Sequence, residues 1–378
     1  METPASREKV KVVFAINDFL IGGAQRLHLD LFNALDLSRF ELHLVTMFQF
    51  PEKKDFFDLV PAHVHVHKMN FKNSRDLKEW MRLYTVFTKI APHVVISSLF
   101  FTNTVCRIVK LFLGYRVIAI EHNTYIHKTK FEIFIDRLLS HVSFKIIAVS
   151  ETVASFTSRQ ENIPRTKFVV IHNGIDIKKI KHEIEKNHDL SEIRKALSAQ
   201  PGDKFVINVG RLTAQKNHQL MIEAFEIFSK KHPGYRLIVM GDGSLRPSLV
   251  AEIKKRGIEH IVSLAGATPQ IIPYYLVSDM FVSTSVIEGF GIAHAEALVC
   301  GLPVVTTKTA GPDEMIVEGV NGYFVEYTPE SVVAGMEKII TNNIRSQHDA
   351  ITQSVAKFSI TEIARTYERL ILSAAKNI

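Results

Sequence analysis

The chain has 378 residues, of which 46% are hydrophobic and 22% charged, and its formal net charge is +7. This length exceeds what one ordinary hydrophobic core accommodates, and the composition is typical of a soluble globular protein with two domains. No apolar run approaches the roughly 18–20 residues that cross a bilayer, so we expect any work on a membrane to be done from its surface.

The positive charge and the two cysteines narrow the class of protein further. Nucleotides, pyrophosphate lipids, acidic membrane surfaces and nucleic acid are all anionic partners that the charge suits, and the charge does not choose among them. Cys106 and Cys300 lie far apart and in no metal-ligand spacing, and the polar start of the sequence does not resemble a signal peptide. We therefore expect a reduced, cytoplasmic protein.

The first half of the chain alternates strand patterns with helix patterns. Short β-rich apolar runs predict the strands, and apolar residues at helical spacing predict the helices. The predicted strands are 11–16, 40–47, 94–99, 116–121, 146–150 and 168–171, and the predicted helices are 24–35, 76–91, 106–113 and 130–142. This alternation indicates βαβ units and a mostly parallel sheet.

A turn at 172–176 and a charge-rich segment at 178–195 separate the two halves, after which the alternation begins again. The predicted strands of the second half are 205–210, 236–241, 262–265, 280–284 and 303–306, and the predicted helices are 217–231, 245–257, 271–277, 291–300 and 360–378. Ligands of such open α/β sheets bind beyond the carboxyl ends of the strands, so the loops that leave each strand are the places to look for chemistry.

The segment 285–305, SVIEGFGIAHAEALVCGLPVV, carries the strongest functional pattern. A strand ends here, a glycine-bearing turn follows, and a helix begins near Gly291, so the helix start forms an anion site. Gly289 lets a bulky ligand approach the backbone. Glu288 in the turn can accept hydrogen bonds from sugar hydroxyls, and Glu296 on the helix can hold two adjacent hydroxyls, as on a ribose. The alternative is an ordinary βα turn with a glutamate on a solvated helix face.

This segment resembles the Glu-x7-Glu signature of the retaining glycosyltransferases of family 4, which have the GT-B fold. Shorter pieces follow in the family's order and extend the likeness over nearly the whole chain; they are GGAQ at 22–25, EHN at 121–123, VGRL at 209–212 with Lys216, GDG at 241–243, GPDE at 311–314 and NG at 321–322. The resemblance implies two Rossmann-like domains facing across a cleft, here 1–173 and 174–359, with the C-terminal helix 360–378 returning to the first domain.

The resemblance also implies roles for residues of the second half. Arg211 and Lys216 would grip the donor pyrophosphate through charge-assisted hydrogen bonds of about 1.5–3 kcal/mol each, and would stabilise the charge that grows on the leaving group. Glu288 would contact the transferred hexose, and Glu296 would hold the nucleotide ribose. Further contacts with the donor are implied at Gly266, Ala267, Gly289, Phe290 and Gly291.

In the first half, the resemblance implies that Gly22 and Gly23 bring the first loop close to the diphosphate and the acceptor. His122 matches a family histidine near the reaction centre, where we expect it to form hydrogen bonds rather than act as a base. The alternatives are that the two glycines only form a turn and that His122 has only a structural role. Gly311-Pro312 departs from the two glycines that the family often has. Because proline has no N–H, we expect one backbone donor to be missing from this loop.

Several motifs of other nucleotide-dependent enzymes do not occur in the sequence. There is no Asp-x-Asp motif, which disfavours a metal-dependent transferase of the GT-A type. The loops after the two first strands lack GxGxxG, and the chain lacks GxxxxGK[ST], which disfavours a nicotinamide dehydrogenase and a P-loop nucleotidase. We therefore expect neither a cofactor nor a metal ion.

These observations predict a retaining hexosyltransferase that uses a nucleotide diphosphate sugar, with UDP the commonest nucleotide in the family. We expect its acceptor to be a lipid-linked glycan or a surface-polysaccharide precursor bound to the first domain. The alternatives are a transferase with a soluble acceptor, a related phosphorylase or epimerase, and a catalytically silent GT-B module. Nucleic-acid binding would explain the charge but not the glycine and glutamate spacing, so we do not expect it.

Basic and large apolar residues alternate between positions 107 and 145. Such a mixture suits an anionic membrane surface or a lipid pyrophosphate, and predicts a peripheral protein at the cytoplasmic face of the membrane. Ordinary core-facing helices with solvated lysines are the alternative. The residues concerned are Arg107, Lys110, Arg116, Lys128, Lys130, Arg137 and Lys145, with Phe112, Leu113, Tyr115, Tyr125, Phe131, Phe134 and Leu138 among them.

Overall fold

The computed structural model describes residues 8–186, 188–268 and 270–376. The chain divides into two compact units, one formed by Met1–Gly174 with Ile360–Ile378 and the other by Ile175–Ser359. The boundary expected after residue 173 lies one residue from this division. The polar start of the sequence and the last two residues of the predicted helix 360–378 lie outside the described residues.

The first unit contains a parallel sheet of seven strands with helices between them. Its strands are β1 (Val10–Ile16), β2 (Phe40–Thr46), β3 (Val64–Lys68), β4 (Val94–Ser98), β5 (Arg116–Glu121), β6 (Ser143–Ala148) and β7 (Phe168–Val170). Its helices are α1 (Gly23–Ala34), α2 (Leu77–Ile90), α3 (Phe100–Lys110), α4 (Lys130–Ser140) and α5 (Glu151–Glu161). The strand order is β3-β2-β1-β4-β5-β6-β7, and Val12 at the centre lies opposite both Leu42 and Val94.

Central strands of this sheet are buried along nearly their whole length, which explains why their continuous apolar runs predict them well. Two elements of the first unit were not predicted. The edge strand β3 has the sequence VHVHK, whose alternate histidines give it only a weak apolar pattern. The helix α5 is mostly polar and is fixed at its start by Ser150, whose hydroxyl accepts a hydrogen bond from the Val153 N–H. The helix predicted at 106–113 begins earlier, at Phe100.

The second unit contains a parallel sheet of six strands. Its strands are β8 (Lys204–Val209), β9 (Tyr235–Met240), β10 (Val262–Gly266), β11 (Met280–Ser283), β12 (Val304–Thr307) and β13 (Gly322–Val325). Its helices are α6 (Ile177–Glu185), α7 (Leu190–Ala196), α8 (His218–Lys231), α9 (Arg246–Arg256), α10 (Ile272–Leu276), α11 (Ile292–Val299), α12 (Ala310–Met315), α13 (Pro329–Thr341) and α14 (His348–Ser354). The strand order is β10-β9-β8-β11-β12-β13. The charge-rich segment thus contains two helices, and β13, α12, α13 and α14 were not predicted.

The C-terminal helix α15 (Ile360–Ala375) belongs to the first unit, where it packs against α1. Its buried side includes Tyr367 and Ile371. A side chain of the same helix, Glu368, accepts a hydrogen bond of 2.9 Å from the backbone N–H of Asp36 just beyond α1. The last helix of the sequence therefore completes the first unit rather than the second. None of the helices in the described ranges combines the length and the apolar character that crossing a bilayer requires.

Each sheet has a point at which the strand order changes direction, and there the loops after neighbouring strands lie side by side. In the first unit this point lies between β1 and β4, with β5 next to β4. In the second unit it lies between β8 and β11. Most of the candidate site residues follow these strands, and Gly266 and Ala267 lie at the carboxyl end of β10.

Candidate functional site

Several hydrogen bonds join the loops that follow β8 and β11. The N–H of Val286 donates to the carbonyl of Gln215 at 2.9 Å, and the Gln215 side-chain amide donates to the carbonyl of Ile287 at 2.8 Å. The Thr284 hydroxyl donates to the carbonyl of Asn217 at 2.8 Å. These bonds hold the two loops in a fixed register.

Lys216 and Glu288 form an ion pair across these loops, with the ammonium donating a hydrogen bond to the carboxylate. Their side chains are 21% and 15% exposed, so both groups remain within reach of a ligand from solvent. The Lys216 stem lies against Gly210, where an added Cβ would lie 3.3 Å from its carbons. The ammonium, which has three protons to donate, can hold an anion while it still contacts Glu288.

Arg211 lies in the loop after β8, five residues before Lys216, and it is exposed. Within the part of the chain that the structure describes, its guanidinium forms no ion pair and no side-chain hydrogen bond. The backbone around it is ordered, because the Thr213 N–H donates to its carbonyl at 2.8 Å. The loop therefore offers one cation paired with a carboxylate and a second one that faces solvent.

The turn between β11 and α11 depends on two glycines. Gly291 has a φ of +85°, in the left-handed region that favours glycine, and it caps α11. At Gly311 an added Cβ would lie 2.1–2.3 Å from backbone atoms of Phe290, so only glycine fits there. The Gly311 N–H donates to the carbonyl of Glu288 at 3.2 Å. The start of α12 therefore holds the turn that bears Glu288, and Gly289 and Phe290 are buried within it.

The segment Gly311-Pro312 was expected in a loop, and the structure places it in a helix instead. This segment is the first turn of α12, and Pro312 is its third residue. The N–H groups of a first helical turn have no partner inside the helix, so a proline there removes no helical hydrogen bond. The neighbouring Gly311 supplies the hydrogen bond to Glu288.

Glu296 lies on α11 and is partly buried. Its carboxylate accepts a hydrogen bond of 3.2 Å from the hydroxyl of Tyr275, whose pKa is raised well above its ordinary value by burial and by the Glu296 charge. Sequence reasoning did not find Tyr275, because its motif-free position in α10 gives no pattern. Gly266 and Ala267 lie at the carboxyl end of β10, two strands from β8 at the edge of the same sheet.

The first unit brings its own candidate residues to the carboxyl end of its sheet. Gly22 precedes α1 and Gly23 is its first residue. His122 follows β5, and its Nε2 atom lies 3.1 Å from the hydroxyl of Ser98 at the end of β4. The same hydroxyl lies 3.0 Å from Nε2 of His28 on α1. Sequence reasoning missed His28 and Ser98, which no motif marks.

The loop that carries His122 also carries Lys128, which belongs to a buried cluster of charged side chains. Lys128 donates to Asp136 at 2.8 Å and to Glu161 at 2.6 Å, and lies 3.7 Å from Glu121. Arg107 donates to Asp136 at 2.8 Å. Burial raises the pKa of Glu161 to about 8, and it raises the pKa of Glu121 as well. Two cations thus face three carboxylates inside the first unit.

This cluster corrects part of the predicted basic surface. Arg107 and Lys128 point into the protein, and Tyr115 is buried with its hydroxyl donating to the carbonyl of Cys106 at 2.6 Å. These residues cannot face a membrane. The exposed members of the predicted set include Phe112, Phe131, Phe134, Leu138, Lys130 and Arg137. Among the residues in the described ranges, no group of three or more His, Cys, Asp or Glu is placed to hold a metal ion.

The sequence of this chain is similar to those of two proteins that are named as glycosyltransferases. A relative from Methanocaldococcus jannaschii, an uncharacterized glycosyltransferase, is 29% identical over 208 residues, which are 54% of this chain and 53% of the relative. The match thus spans about half of that relative. An N-acetylgalactosamine-N,N'-diacetylbacillosaminyl-diphospho-undecaprenol 4-alpha-N-acetylgalactosaminyltransferase of Campylobacter jejuni is 24% identical over 370 residues, covering 93% of this chain and 96% of the relative.

Solved structures share the fold over the whole chain. The Anabaena protein HepE in complex with UDP has a TM-score of 0.82 at 19% identity, and the match covers 96% of this chain and 100% of HepE. A glycosyltransferase from Rickettsia africae has a TM-score of 0.85 at 17% identity, and the match covers 98% of this chain and 100% of that one.

Two family models match the chain, one in each half. Residues 21–179 match the model described as Glycosyltransferase Family 4, and residues 189–356 match the model described as Glycosyl transferases group 1. Together the two matches cover most of the sequence, in the order in which the two units occur. The chain therefore belongs to the family 4, group 1 glycosyltransferases and has their GT-B fold.

Proposed function

We propose that this protein is a retaining glycosyltransferase that takes a hexose or N-acetylhexosamine from a nucleotide diphosphate sugar, with UDP as the nucleotide. The observation that carries the proposal is the Lys216–Glu288 pair, which two interlocked loops hold at the switch point of the second sheet. The exposed Arg211 lies in the same loop as Lys216. Cations suit the diphosphate and a carboxylate suits sugar hydroxyls. The UDP complex of HepE supports the choice of nucleotide.

In this mechanism the protein contributes charge and position more than acid–base chemistry. The bond between the anomeric carbon and the β-phosphate oxygen breaks, and the acceptor oxygen bonds to that carbon on the same face. The acceptor's proton passes to the departing phosphate oxygen. Lys216 and Arg211 stabilise the negative charge on the diphosphate, and Glu288 orients the sugar. The proposed steps require no cofactor and no metal ion.

The configuration of the product tests the retaining mechanism. With an α-linked donor we expect an α-linked product, because leaving group and acceptor use the same face of the sugar. The measurement is the coupling between the anomeric proton of the transferred sugar and its neighbour, read by NMR on the isolated product. A β-linked first product would contradict same-face transfer and would require a base on the opposite side.

We further propose that the acceptor is a lipid-linked glycan or surface-polysaccharide precursor, and that the protein works at the cytoplasmic face of a membrane. The Campylobacter relative is named after an acceptor that is linked to diphospho-undecaprenol. A Streptococcus pneumoniae relative, 26% identical over 209 residues, is an alpha-monoglucosyldiacylglycerol synthase. A soluble acceptor is the second candidate.

The helix α4 provides the surface for such contact, because its polarity is inverted. Its solvent side carries Phe131, Phe134 and Leu138, which are 71%, 60% and 56% exposed, while its buried side carries Asp136 of the ion cluster. Phe112, which follows the end of the neighbouring α3, is also exposed. Exposed Lys130 and Arg137 lie among these apolar side chains. Cations flanking exposed aromatic residues match an anionic bilayer, which attracts the former and buries the latter.

Vesicle flotation tests this surface. We expect wild-type protein to float with vesicles that contain anionic phospholipid, and Phe131→Ser/Phe134→Ser/Leu138→Ser to bind about tenfold more weakly, because burial of these side chains is lost. A matched control replaces two exposed valines of the second unit, Val250→Ser/Val317→Ser. Wild type that ignores anionic vesicles, or a triple variant that binds equally well, would contradict the assignment. Dimers of wild type that the triple variant does not form would assign the surface to a second copy.

A further inference from the structure

One hydroxyl links two histidines in the first unit. Ser98 Oγ lies 3.0 Å from Nε2 of His28 and 3.1 Å from Nε2 of His122. The three side chains come from α1, from the end of β4 and from the loop after β5, so the sheet topology alone brings them together. Within the described residues, the Nδ1 atoms of both histidines are buried and have no hydrogen-bond partner.

The serine has a single proton, which restricts the protons on the two rings. A hydroxyl donates one hydrogen bond and accepts up to two, so Ser98 could also accept from both histidines. That arrangement would leave the O–H of the fully buried Ser98 without an acceptor, so Ser98 donates to one histidine and accepts from the other. The histidine that receives the proton is protonated on Nδ1, and the one that donates to Ser98 is protonated on Nε2. Each arrangement therefore leaves one histidine with an N–H at Nδ1 and the other with a bare Nδ1 lone pair.

The position of each ring in the fold distinguishes the two arrangements. His28 is fully buried, and its ring lies 5.5 Å from that of Phe14 and 6.5 Å from that of Phe32. An N–H at its Nδ1 would have no route to water or to a ligand, and buried N–H groups without partners are rare. The Nδ1 atom of His122 is buried as well, but its residue is partly exposed and lies at the carboxyl end of the sheet, where ligands bind. An N–H on His122 is therefore the one that a bound ligand can reach.

We propose that His28 and Ser98 are positioning residues that hold His122 as the neutral tautomer with its proton on Nδ1. His28 donates from Nε2 to Ser98, and Ser98 donates to Nε2 of His122. Burial favours neutral rings throughout, since it lowers the pKa of His28 to about 3 and that of His122 to about 4.

This arrangement fixes what His122 can do in the reaction. Its Nε2 lone pair is already occupied by the Ser98 proton, so the ring has no free base, and its Nδ1–H can donate to an oxygen of a bound sugar or phosphate. The catalytic meaning rests on the proposed function, whereas the tautomer itself does not. His122 thus acts as a hydrogen-bond donor rather than as a general base.

Nitrogen NMR of ¹⁵N-histidine-labelled protein tests the tautomer directly. We expect the His122 ring to show a protonated Nδ1 and an unprotonated Nε2 at neutral pH, and the His28 ring to show the reverse. His122→Gln and His28→Gln assign the two sets of signals among the 17 histidines. A wild-type His122 ring that carries its proton on Nε2 would overturn the inference whatever the protein's activity.

Substitutions at Ser98 and Ser97 separate the effect of the Ser98 hydroxyl on His122 from a general effect on the packing of the strand. Ser98→Ala should release His122 to a mixture in which the Nε2–H form predominates, and should lower kcat about tenfold for the loss of one oriented hydrogen bond. Ser98→Thr keeps the hydroxyl and should restore both readouts. Ser97→Ala is the matched control, because Ser97 is equally buried and its hydroxyl has no partner in the described part of the chain.

The two readouts fail independently. An unchanged His122 tautomer in Ser98→Ala would overturn the positioning role. If the protein transferred no sugar while the spectra showed the expected tautomers, the proposed function would fail and the linkage between His28, Ser98 and His122 would stand. If Ser97→Ala altered the tautomer as much as Ser98→Ala, the effect would belong to packing of the strand rather than to the hydroxyl.

Discussion

Replacing Lys216 with alanine is expected to lower kcat about 10²–10³-fold. The ammonium lies beside Glu288, where the diphosphate leaves in the proposed reaction, and removal of one preorganised donor to developing charge typically has an effect of this size. We expect a smaller loss of stability than at a fully buried pair, because both side chains keep some contact with solvent. The measurement is the initial rate of nucleotide release in the presence of acceptor, with the melting temperature as a check on folding.

Lys230→Ala is the matched control for this substitution. Lys230 also pairs with a glutamate of the second unit, Glu226 at 2.7 Å, but it does so on the solvent side of α8. We expect its kcat to equal that of wild type. A Lys216→Ala variant that keeps more than half of the wild-type kcat would show that the leaving diphosphate is stabilised elsewhere.

Replacing Lys128 with methionine is expected to reduce the free energy of unfolding of the first unit by about 3–5 kcal/mol, because breaking a buried pair leaves uncompensated charge. Lys128 faces Glu121, Asp136 and Glu161, and without it only Arg107 remains among them. Urea unfolding followed by tryptophan fluorescence reports on this unit specifically, since the chain's single tryptophan, Trp80, lies on α2.

The same cluster gives a pH dependence with a definite sign. The raised pKa of Glu161, about 8 against an ordinary 4.5, means that the folded unit holds a proton that the unfolded chain releases between these values. Its contribution to stability is therefore present at low pH and is lost as the pH rises towards 8.

Arg165→Met is the control for Lys128→Met, because it removes an exposed cation of the first unit that pairs with Glu151 on the surface. Equal urea midpoints for Lys128→Met and Arg165→Met would contradict the importance of the cluster.

The sequence indicates most of both sheets because their central strands are buried on both faces and appear as continuous apolar runs. It does not indicate β3, whose VHVHK sequence lies at a sheet edge, or α5, which is mostly polar. Residues of the candidate site that follow β8 and β11 were predicted from motifs, and the structure joins Lys216 to Glu288 in one pair. In the second unit, most of the residues from which the site was predicted therefore lie in the short loops after these two strands.

The residues that sequence reasoning missed depend on contacts between distant parts of the chain. Ser98 and His28 are 70 residues apart in sequence. They are in contact because β4 lies beside β1 in the sheet. The segment 107–145 has one mixed pattern of basic and apolar residues. In the structure, the side chains of Arg107 and Lys128 are buried and that of Phe131 is exposed. A helix that buries its charge and exposes its aromatic residues cannot be oriented from periodicity, because periodicity assumes the opposite.

Calorimetric titration of UDP-, GDP- and ADP-sugars into wild type and Lys216→Ala tests most directly whether the second unit binds a nucleotide diphosphate sugar at the Lys216–Glu288 pair. We expect wild type to bind one molecule of a UDP-sugar, and Lys216→Ala to bind it at least about tenfold more weakly, since a charge-assisted hydrogen bond contributes about 1.5–3 kcal/mol. Equal affinity in the two proteins, or no binding of any of the three classes by wild type, would contradict this assignment.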